Sequence, residues 1–430
     1  MFLLLRVFIY YKTQKSGKTP DFFYAYISMK KLIHTYLSTF KGLSREVWWL
    51  ALITLVNRAG AMVIPFLSLY LRDDLGFSLS NVGWVMTCFG FGSLFGSWLG
   101  GILSDKLGYY KTILISLLAT GAGFLGLQFI SSFWAVCLGF FALIAVADMS
   151  RPAFFVALSA YSKPENKTRS LTLIRLAINL GFSAGPALGG IIIAGIGYYG
   201  LFWADGITCL LAGLLLIQTL NPKRAKETDQ EERIENPLSP YKDQLYMLFL
   251  IALALFGVVF VQYFSTVPVF YKEVRLLSES QIGLLLGLNG LLIFVFEMPL
   301  IAFMERKGWN QIANVIGGFM LTAISFVFFY LMNWNGFLII GMIVVTLGEM
   351  IAFPFGNAFA LRRAKLGRQG AYMGLYSMSF SLAHVFGHNS GMQLVNAFGY
   401  NKTWIVMALI SIAGILLLLY VKKKSLKLKI

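Results

Sequence analysis

Charged side chains are scarce in this chain. Only 13% of its 430 residues are Asp, Glu, Lys or Arg, against about 25% in an average soluble protein. Hydrophobic residues make up 58% of the chain, and the mean hydropathy is +0.72. So few charges cannot cover the surface of a globule of this size, which excludes a soluble enzyme and predicts a protein embedded in a lipid bilayer.

Cysteine and histidine are also rare. The three cysteines, Cys88, Cys137 and Cys209, lie inside apolar runs without metal-ligand spacing, which excludes a disulfide framework and a cysteine-based metal centre. The sequence has no recognisable Ser/His/Asp cluster or metal site at either membrane face. We therefore expect a protein that is not an enzyme and that holds neither a metal nor a cofactor.

Signals for nucleotide and nucleic-acid binding are missing as well. The fragment Ser16-Gly17-Lys18-Thr19 is not a P-loop, because Lys12 stands where the first glycine is required. The net charge of +17 would indicate a nucleic-acid partner for a soluble protein, but the basic residues here lie between hydrophobic runs. We expect neither an ATP-driven pump nor a nucleic-acid partner.

Twelve apolar runs are each long enough to cross a bilayer, which takes about 20 residues. They are 47–71, 79–103, 112–131, 133–160, 169–195, 198–220, 244–271, 279–304, 310–331, 336–360, 370–393 and 403–421. The polar segment 221–243 divides them six and six. The sequence thus predicts an all-α membrane protein of twelve transmembrane helices, with six-helix bundles at 46–220 and 244–421 joined by a cytoplasmic linker at 221–243.

The basic residues fix the expected orientation through the positive-inside rule. With both termini and every even-to-odd loop on one side, 29 of the 36 lysines and arginines fall on that side and 4 on the other. Both termini are therefore predicted to be cytoplasmic, in the inner (cytoplasmic) membrane. Residues 1–45 form a predicted cytoplasmic segment, in which 1–28 read as an extension upstream of a start at Met29, and 422–430 form a basic cytoplasmic tail.

Short patterns recur between the two halves at nearly constant offsets of 200 to 202 residues. The pairs are Ser80–Gly83 with Ser280–Gly283, Asp105–Gly108 with Glu305–Gly308, Asp148-Met149 with Glu349-Met350, and Gly185-Pro186 with Gly387-His388. Two parallel repeats around a site at the bilayer midplane are the architecture of an alternating-access transporter.

The loop after predicted helix 2 carries a recognisable motif. Its fixed positions are Gly101, Asp105, Lys106, Gly108 and Lys111. This pattern resembles the cytoplasmic-loop motif of the major facilitator superfamily, although Tyr109 and Tyr110 replace part of the basic cluster. The resemblance implies a gate on the cytoplasmic side, with a copy in the second half at Glu305, Arg306 and Gly308.

Predicted helix 5 carries a second motif, formed by Gly181, Gly185, Pro186, Gly189 and Gly190. Glycines four residues apart give a smooth face for a partner helix, and proline bends the helix by removing a hydrogen bond. The pattern resembles the helix 5 motif of the proton-coupled antiporters of the superfamily, and every fixed position is present. A kinked packing helix without a role in coupling remains the alternative.

The resemblance to the superfamily covers about residues 45–421 and is nearest to its twelve-span drug–proton antiporters. A competing resemblance comes from Ile178–Gly181, which is similar to a stretch of proton-coupled peptide symporters. Those symporters carry a Glu-x-x-Glu-Arg cluster in helix 1, whereas Arg58 here has neither glutamate.

Ionisable residues inside the predicted spans are the candidate site, because a charge at mid-membrane costs about 2.5–3.5 kcal/mol. We expect proton coupling by Asp148, Glu349 and Glu297. The alternative is a static pair of Asp148 with Arg151 or Arg58 that holds helices 1 and 4 together. The resemblance places helices 1, 4, 7 and 10 around the cavity. The expected cavity residues are Arg58, Arg151, Arg175, Asn179, Asn289, Asn357 and Tyr263. For Asp205 in the outer part of predicted helix 6, we expect capping at the membrane interface rather than a role in transport.

Together these features predict a secondary transporter that works by alternating access and exports amphipathic compounds in exchange for protons. The alternative is a proton-coupled importer of peptides or another polar or anionic nutrient, which the three intramembrane arginines favour. The expected partners are a small-molecule substrate, protons and the lipid bilayer, and we expect a monomer.

Overall fold

The computed structural model describes residues 42–162, 167–221, 238–331, 334, 336–364 and 369–427. Within those residues every regular element is helical and no strand occurs. Most of the predicted N-terminal segment 1–45, most of the linker 221–243 and the end of the predicted tail 422–430 lie outside the described residues.

Short connections join successive helices, except between the sixth and the seventh, which are separated by the linker. In chain order they are α1 (Arg45–Asp74), α2 (Leu79–Leu107), α3 (Tyr109–Leu127), α4 (133–161), α5 (Lys167–Ile196), α6 (Tyr199–Thr219), α7 (Gln244–Glu273), α8 (Glu279–Arg306), α9 (Gln311–Leu331), α10 (Gly336–Ala364), α11 (369–398) and α12 (400–427).

The sequence predicts twelve spans. Among the described residues, eleven helical segments are long and apolar enough to cross a membrane. The last segment, Tyr372–Ser425, has 54 residues. A continuous helix of that length would extend about 80 Å, far more than the roughly 30 Å of a bilayer core. Gly399, with φ 77° and ψ 171°, breaks this segment into α11 and α12.

Three helices are interrupted four residues before a proline. The α-helical part of α1 stops at Ala59 and resumes at Val63, ahead of Pro65; α4 is broken between Asp148 and Ser150, ahead of Pro152. The same relation holds in α7, where a 3₁₀ turn ends at Phe264, ahead of Pro268. A proline removes one backbone hydrogen bond and its ring clashes with the carbonyl four residues earlier, which favours a break at these positions. Proline alone does not cause one, because Pro186, Pro299 and Pro354 lie inside uninterrupted helices.

The turns repeat between the two halves more closely than the sequence alone predicts. Residues with positive φ stand at Gly76 and Leu276, at Gly108 and Gly308, and at Gly197 and Gly399. Ser78 caps α2 by accepting a hydrogen bond from the backbone of Asn81, and Ser278 caps α8 in the same way from Gln281. The same turn geometry at matching places supports an internal repeat.

Helices α1–α6 (the first bundle) and α7–α12 (the second bundle) each have a core of their own. Leu50 and Leu216 belong to the core of the first bundle, and Phe249 and Leu418 to that of the second. Both cores lie toward the end at which α1 begins and α12 ends, called the termini side. The two bundles therefore have separate cores on that side.

A third apolar core joins the bundles at the opposite end, called the far side. It contains Phe66 and Leu71 of α1 together with Phe270 and Tyr271 of α7, all of them buried. Ser68 also donates a hydrogen bond to the carbonyl oxygen of Ser265 across the bundles, at 2.8 Å. The bundles thus share one apolar core on the far side and have separate cores toward the termini side.

Substitution of Leu276 by glycine tests the repeat of turn geometry. Leu276 has a φ of 54° and is 83% exposed, whereas its counterpart in the first half is Gly76. A left-handed conformation costs a non-glycine residue about 1–2 kcal/mol, so Leu276→Gly is expected to raise the midpoint of thermal unfolding in detergent. Leu276→Ala removes the same apolar surface but keeps the strain, and an equal gain from it would contradict this explanation.

Candidate functional site

Asp148 lies at the break in α4 and is held from two directions. Its carboxylate accepts a hydrogen bond from the hydroxyl of Ser93 on α2 and forms an ion pair with Arg151, at 2.8 Å from Nε. Asp148 is buried, whereas the Arg151 side chain is 48% exposed. The predicted Asp148–Arg151 pair is therefore present, and it lies at the point where the helix is interrupted.

The backbone carbonyl groups at this break accept hydrogen bonds from serine hydroxyl groups. Ser116 of α3 donates to the carbonyl oxygens of Val146 and Ala147, at 2.7 and 3.0 Å, and Ser150 also donates to Ala147 at 2.8 Å. Because lipid offers no hydrogen bonds to exposed backbone groups, these serines stabilise the broken helix that presents Asp148.

Arg58 lies beside the same site on α1. Its guanidinium carbon is 5.5 Å from the centroid of the Phe182 ring of α5, within the range of a cation–π interaction. Arg58, Asp148 and Arg151 line one cavity of about 70 Å³ inside the first bundle. Within the described chain Arg58 forms no ion pair.

Asp205 of α6 closes the break in α1. Its two carboxylate oxygens accept hydrogen bonds from the backbone nitrogens of Met62 and Val63, at 2.8 and 3.1 Å, and the side chain is buried. An anionic group at a helix N-terminus satisfies its free N–H groups and complements its dipole. Both oxygens are occupied by this role, so Asp205 is a cap.

Glu349 of α10 has uncharged partners. The side-chain nitrogen of Asn289 on α8 donates to Glu349 at 2.9 Å and to the hydroxyl of Thr346 at 3.0 Å. In the described part of the chain no lysine, arginine or histidine lies within ion-pair distance of Glu349. This arrangement leaves a carboxyl group without a compensating cation in the middle of a span.

Glu297 joins the two bundles. It forms an ion pair with Arg175 of α5 and accepts a second hydrogen bond from the side-chain nitrogen of Asn179, at 3.1 Å. The Glu297 side chain is 7% exposed and that of Arg175 is 41% exposed. Three of the predicted site residues therefore form one group between α5 and α8.

The helix 5 motif packs against two helices. Gly181 and Gly185 face the backbone of α1, where a Cβ added to Gly181 would lie 2.5 Å from the Cβ of Arg58. Gly190 faces α8, where an added Cβ would lie 2.4 Å from the carbonyl oxygen of Glu279. The two remaining motif positions lie on the same stretch of α5. Pro186 presents its carbonyl oxygen to Gly283 of α8. Gly189 lies against Phe66 and Met62 of α1.

The loop motif lies on the termini side. Gly101, Asp105 and Lys106 belong to the last two turns of α2, Gly108 ends it with a φ of 82°, and Lys111 is in the first turn of α3. Glu305 and Arg306 end α8, and Gly308 follows with a φ of 64°. The side chain of Asp105 lies outside the described residues, so its predicted role as a gate stays a prediction.

Two predicted cavity residues lie apart from these groups. Asn357 is exposed on α10, eight residues after Glu349 and hence on the same face. Tyr263 is buried on the far side against Phe326 and Phe329. Sequence reasoning missed Ser93, because a lone serine among the glycines of α2 carries no signal without the neighbouring helix.

Comparisons with known proteins agree with this architecture. Residues 50–388 match the family model of the Major Facilitator Superfamily. The uncharacterized MFS-type transporter YttB of Bacillus subtilis is 25% identical over 372 residues, which cover 84% of this chain and 92% of that protein. The Na(+), Li(+), K(+)/H(+) antiporter of Planococcus maritimus is 23% identical over 389 residues, covering 82% and 89%.

Two further similarities concern a resistance protein and a solved transporter structure. The tetracycline resistance protein, class B, of Escherichia coli is 24% identical over 335 residues, covering 75% of this chain and 82% of that protein. Among solved structures, a POT family transporter in complex with 5-aminolevulinic acid has a TM-score of 0.74 at 15% identity, covering 90% of this chain and 97% of that one. This structural likeness establishes the fold alone.

Removal of the Asp205 cap tests its structural role. Asp205→Ala leaves the backbone N–H group of Val63 without an acceptor and that of Met62 with only the carbonyl oxygen of Gly60, at 2.7 Å. An unsatisfied buried group costs about 1–3 kcal/mol. We expect a lower midpoint of thermal unfolding in detergent and a smaller loss for Asp205→Asn, which keeps one acceptor oxygen. The exposed Asp74→Asn is the matched control, and a midpoint equal to that control would contradict the cap.

Proposed function

Because the chain belongs to the major facilitator superfamily, it is a membrane-embedded secondary transporter and not an enzyme, and we propose that it exports amphipathic small molecules in exchange for protons. The observation that carries the proposal is the uncompensated carboxyl group of Glu349 in the middle of α10. The uncharged partners of Glu349 favour a carboxyl group that is either protonated or bound to a cation.

The three intramembrane carboxylates of the proposed coupling site differ in their partners. Asp148 has Arg151 and Glu297 has Arg175, whereas Glu349 has an amide group as its hydrogen-bond partner. Leaving a carboxylate unpaired at mid-membrane costs about 2.5–3.5 kcal/mol on insertion scales. A proton or a cationic substrate group can each remove that cost, so the two compete for Glu349 and exchange for each other.

Asp148 is the second carboxylate in the proposed exchange. It lies at the break in α4, lines the cavity and pairs with the half-exposed Arg151. A proton on Asp148 releases Arg151, and a deprotonated Asp148 pairs with it again. The alternative is that Asp148 is a structural residue, paired with Arg151 and bound to Ser93 of α2 in every state. In that case Asp148→Asn lowers stability and leaves proton exchange intact.

The relatives support exchange and export. One is named as an antiporter of monovalent cations and protons and another as a tetracycline resistance protein, and the helix 5 motif resembles that of antiporters. We propose further that 46–220 and 244–421 move as two units, that both termini are cytoplasmic in the inner membrane, and that the protein acts as a monomer.

Arg58 favours the second candidate function, proton-coupled import of an anionic or zwitterionic nutrient. Among the described residues it forms no ion pair, and it lines the cavity with Asp148. A substrate carboxylate would supply the missing anion. Under this function the same carboxylates take up protons together with the substrate.

Purified protein in liposomes with a trapped pH dye and no imposed gradient separates the two functions. Cationic dyes and dipeptides are added outside in turn. Export by exchange predicts that the lumen becomes alkaline as substrate enters and protons leave, whereas import predicts that it becomes acidic. Substrate flux without a pH change would overturn proton coupling.

Glu349→Gln tests the proposed carrier in the same liposomes. Glutamine keeps the size and the hydrogen bonding to Asn289 but binds no proton, so the dye response is expected to fall to the level of protein-free liposomes. Asp74→Asn, an exposed carboxylate on the far side, should respond like the wild type. A wild-type response from Glu349→Gln would contradict the assignment.

A further inference from the structure

Three side chains that carry oxygen atoms meet between α8 and α10. The side-chain nitrogen of Asn289 donates to the carboxylate of Glu349 at 2.9 Å and to the hydroxyl of Thr346 at 3.0 Å. Thr346 and Glu349 are three residues apart on α10 and are therefore neighbours on one face of that helix. One atom of the Asn289 amide thus contacts both oxygens, and the three groups form a single cluster.

The cluster is open on one side and closed on the other. Asn289 and Glu349 are partly exposed, whereas Thr346 is fully buried beside them. The Thr346 hydroxyl donates its proton to the carbonyl oxygen of Met342 at 2.6 Å, so the lone pairs of its oxygen are free to accept. An ion that enters from the exposed side would therefore meet Glu349 and Asn289 first and Thr346 behind them.

The Asn289 amide can turn either of its two ends toward the cluster. A rotation of 180° about the terminal bond of the side chain exchanges the positions of its nitrogen and its oxygen. With the nitrogen inward, as in the structure, the amide donates to the carboxylate and the hydroxyl. With the oxygen inward, the cluster presents carboxylate, hydroxyl and amide oxygens together, which are the ligands that hard cations prefer.

The spacing of the cluster fits a cation of moderate size. Na⁺ has nearly the radius of Ca²⁺, whose oxygen ligands lie at about 2.3–2.6 Å, so neighbouring ligands around such an ion are about 3.3 Å apart or more. The inward atom of the Asn289 amide lies 2.9 and 3.0 Å from the oxygens of Glu349 and Thr346. A side-chain movement of a few tenths of an ångström would make up the difference, and water on the exposed side would supply the remaining ligands.

The charge of the cluster selects a monovalent cation. Glu349 supplies one negative charge, and its partners Asn289 and Thr346 are neutral. Glu297 of α8 also acts on Glu349 electrostatically, but Arg175 compensates the charge of Glu297. A monovalent ion therefore leaves the cluster neutral, whereas a divalent ion would leave a net positive charge inside the span, which is costly.

We propose that Glu349, Asn289 and Thr346 form a binding site for an alkali-metal cation, with Na⁺ as the ion to test. A carboxylate oxygen, the amide oxygen and the hydroxyl oxygen coordinate the ion. The ion and a proton each neutralise Glu349, so binding of one excludes the other. The site rests on the proposed function for the role of Glu349 in exchange, and it adds the class of ion that is exchanged.

Equilibrium binding of radioactive Na⁺ to the purified full-length protein in detergent tests the site without any transport. N-methyl-D-glucamine chloride keeps the ionic strength constant. The wild type should bind Na⁺ saturably, and because one ion displaces one proton, its apparent affinity should fall by up to about tenfold per unit of decreasing pH. In weakly buffered solution at a pH that keeps Glu349 protonated, NaCl should release protons and N-methyl-D-glucamine chloride should release none.

Three variants make the result specific. E349Q removes the charge and should abolish both saturable binding and proton release. T346V keeps the carboxyl group and the shape of the side chain but removes one ligand, so it should weaken Na⁺ binding by about tenfold or more. T54V is the matched control, because the buried Thr54 of α1 donates to the carbonyl oxygen of Leu50 at 2.7 Å as Thr346 does to Met342. It should bind Na⁺ like the wild type.

The outcomes separate the cation site from the proposed exchange. Binding that is lost in E349Q, weakened in T346V and kept in T54V supports the site, even if the liposome experiment finds no proton movement and overturns the exchange. A wild type without saturable Na⁺ binding overturns the site and leaves the exchange of protons for amphipathic substrates standing.

Two further results would also overturn the site. One is Na⁺ binding that persists in E349Q or that has the same affinity in T346V as in the wild type. The other is displacement of bound Na⁺ by an equal concentration of Ca²⁺, which contradicts a monovalent site. Size-exclusion chromatography confirms that each variant is folded before the binding measurement.

Discussion

Lipid offers no hydrogen bonds to a broken helix, and this constraint governs the part of the molecule that carries the site. Prolines interrupt α1, α4 and α7, and each interruption is satisfied by side chains from its own or a neighbouring helix. Asp205 caps the restarted α1, Ser116 binds the carbonyls freed in α4, and Gln262 binds Val258 in α7 while reaching Gly387 of α11. The breaks beside Arg58 and at Asp148 exist because neighbouring side chains stabilise them.

The lack of polar partners in lipid also explains how the intramembrane charges are arranged. Intramembrane arginines and carboxylates are arranged as pairs, Asp148 with Arg151 and Glu297 with Arg175. Arg58 and Glu349 lack such partners among the described residues, and they lie in different bundles. The unpaired cation favours an anionic substrate and the unpaired carboxyl group favours a proton or a cation, so these two residues mark the difference between the two candidate functions. The pair Arg175–Glu297, in contrast, joins the two bundles.

Much of the architecture could be predicted because it follows from local patterns. Apolar runs indicated the transmembrane helices, and nearly equal offsets between short patterns indicated the internal repeat. Asp148 and Arg151 are three residues apart and were therefore expected on one face of a helix. The breaks could not be predicted from proline alone, because Pro186, Pro299 and Pro354 lie inside uninterrupted helices. Ser93 could not be predicted either, because its contact with Asp148 joins positions 55 residues apart in the chain and depends on how α2 crosses α4.

The sequence by itself determined that the chain is a membrane protein, where its spans lie, and which rare ionisable residues they contain, because composition and periodicity are properties of neighbouring residues. The tertiary structure alone decided which of those residues are compensated. Arg175 and Glu297 are 122 positions apart and meet because glycines bring α5 and α8 into contact, whereas Glu349 meets an amide group. Whether a charge is paired depends on the packing of distant helices, and that packing is set by shape across the whole bundle.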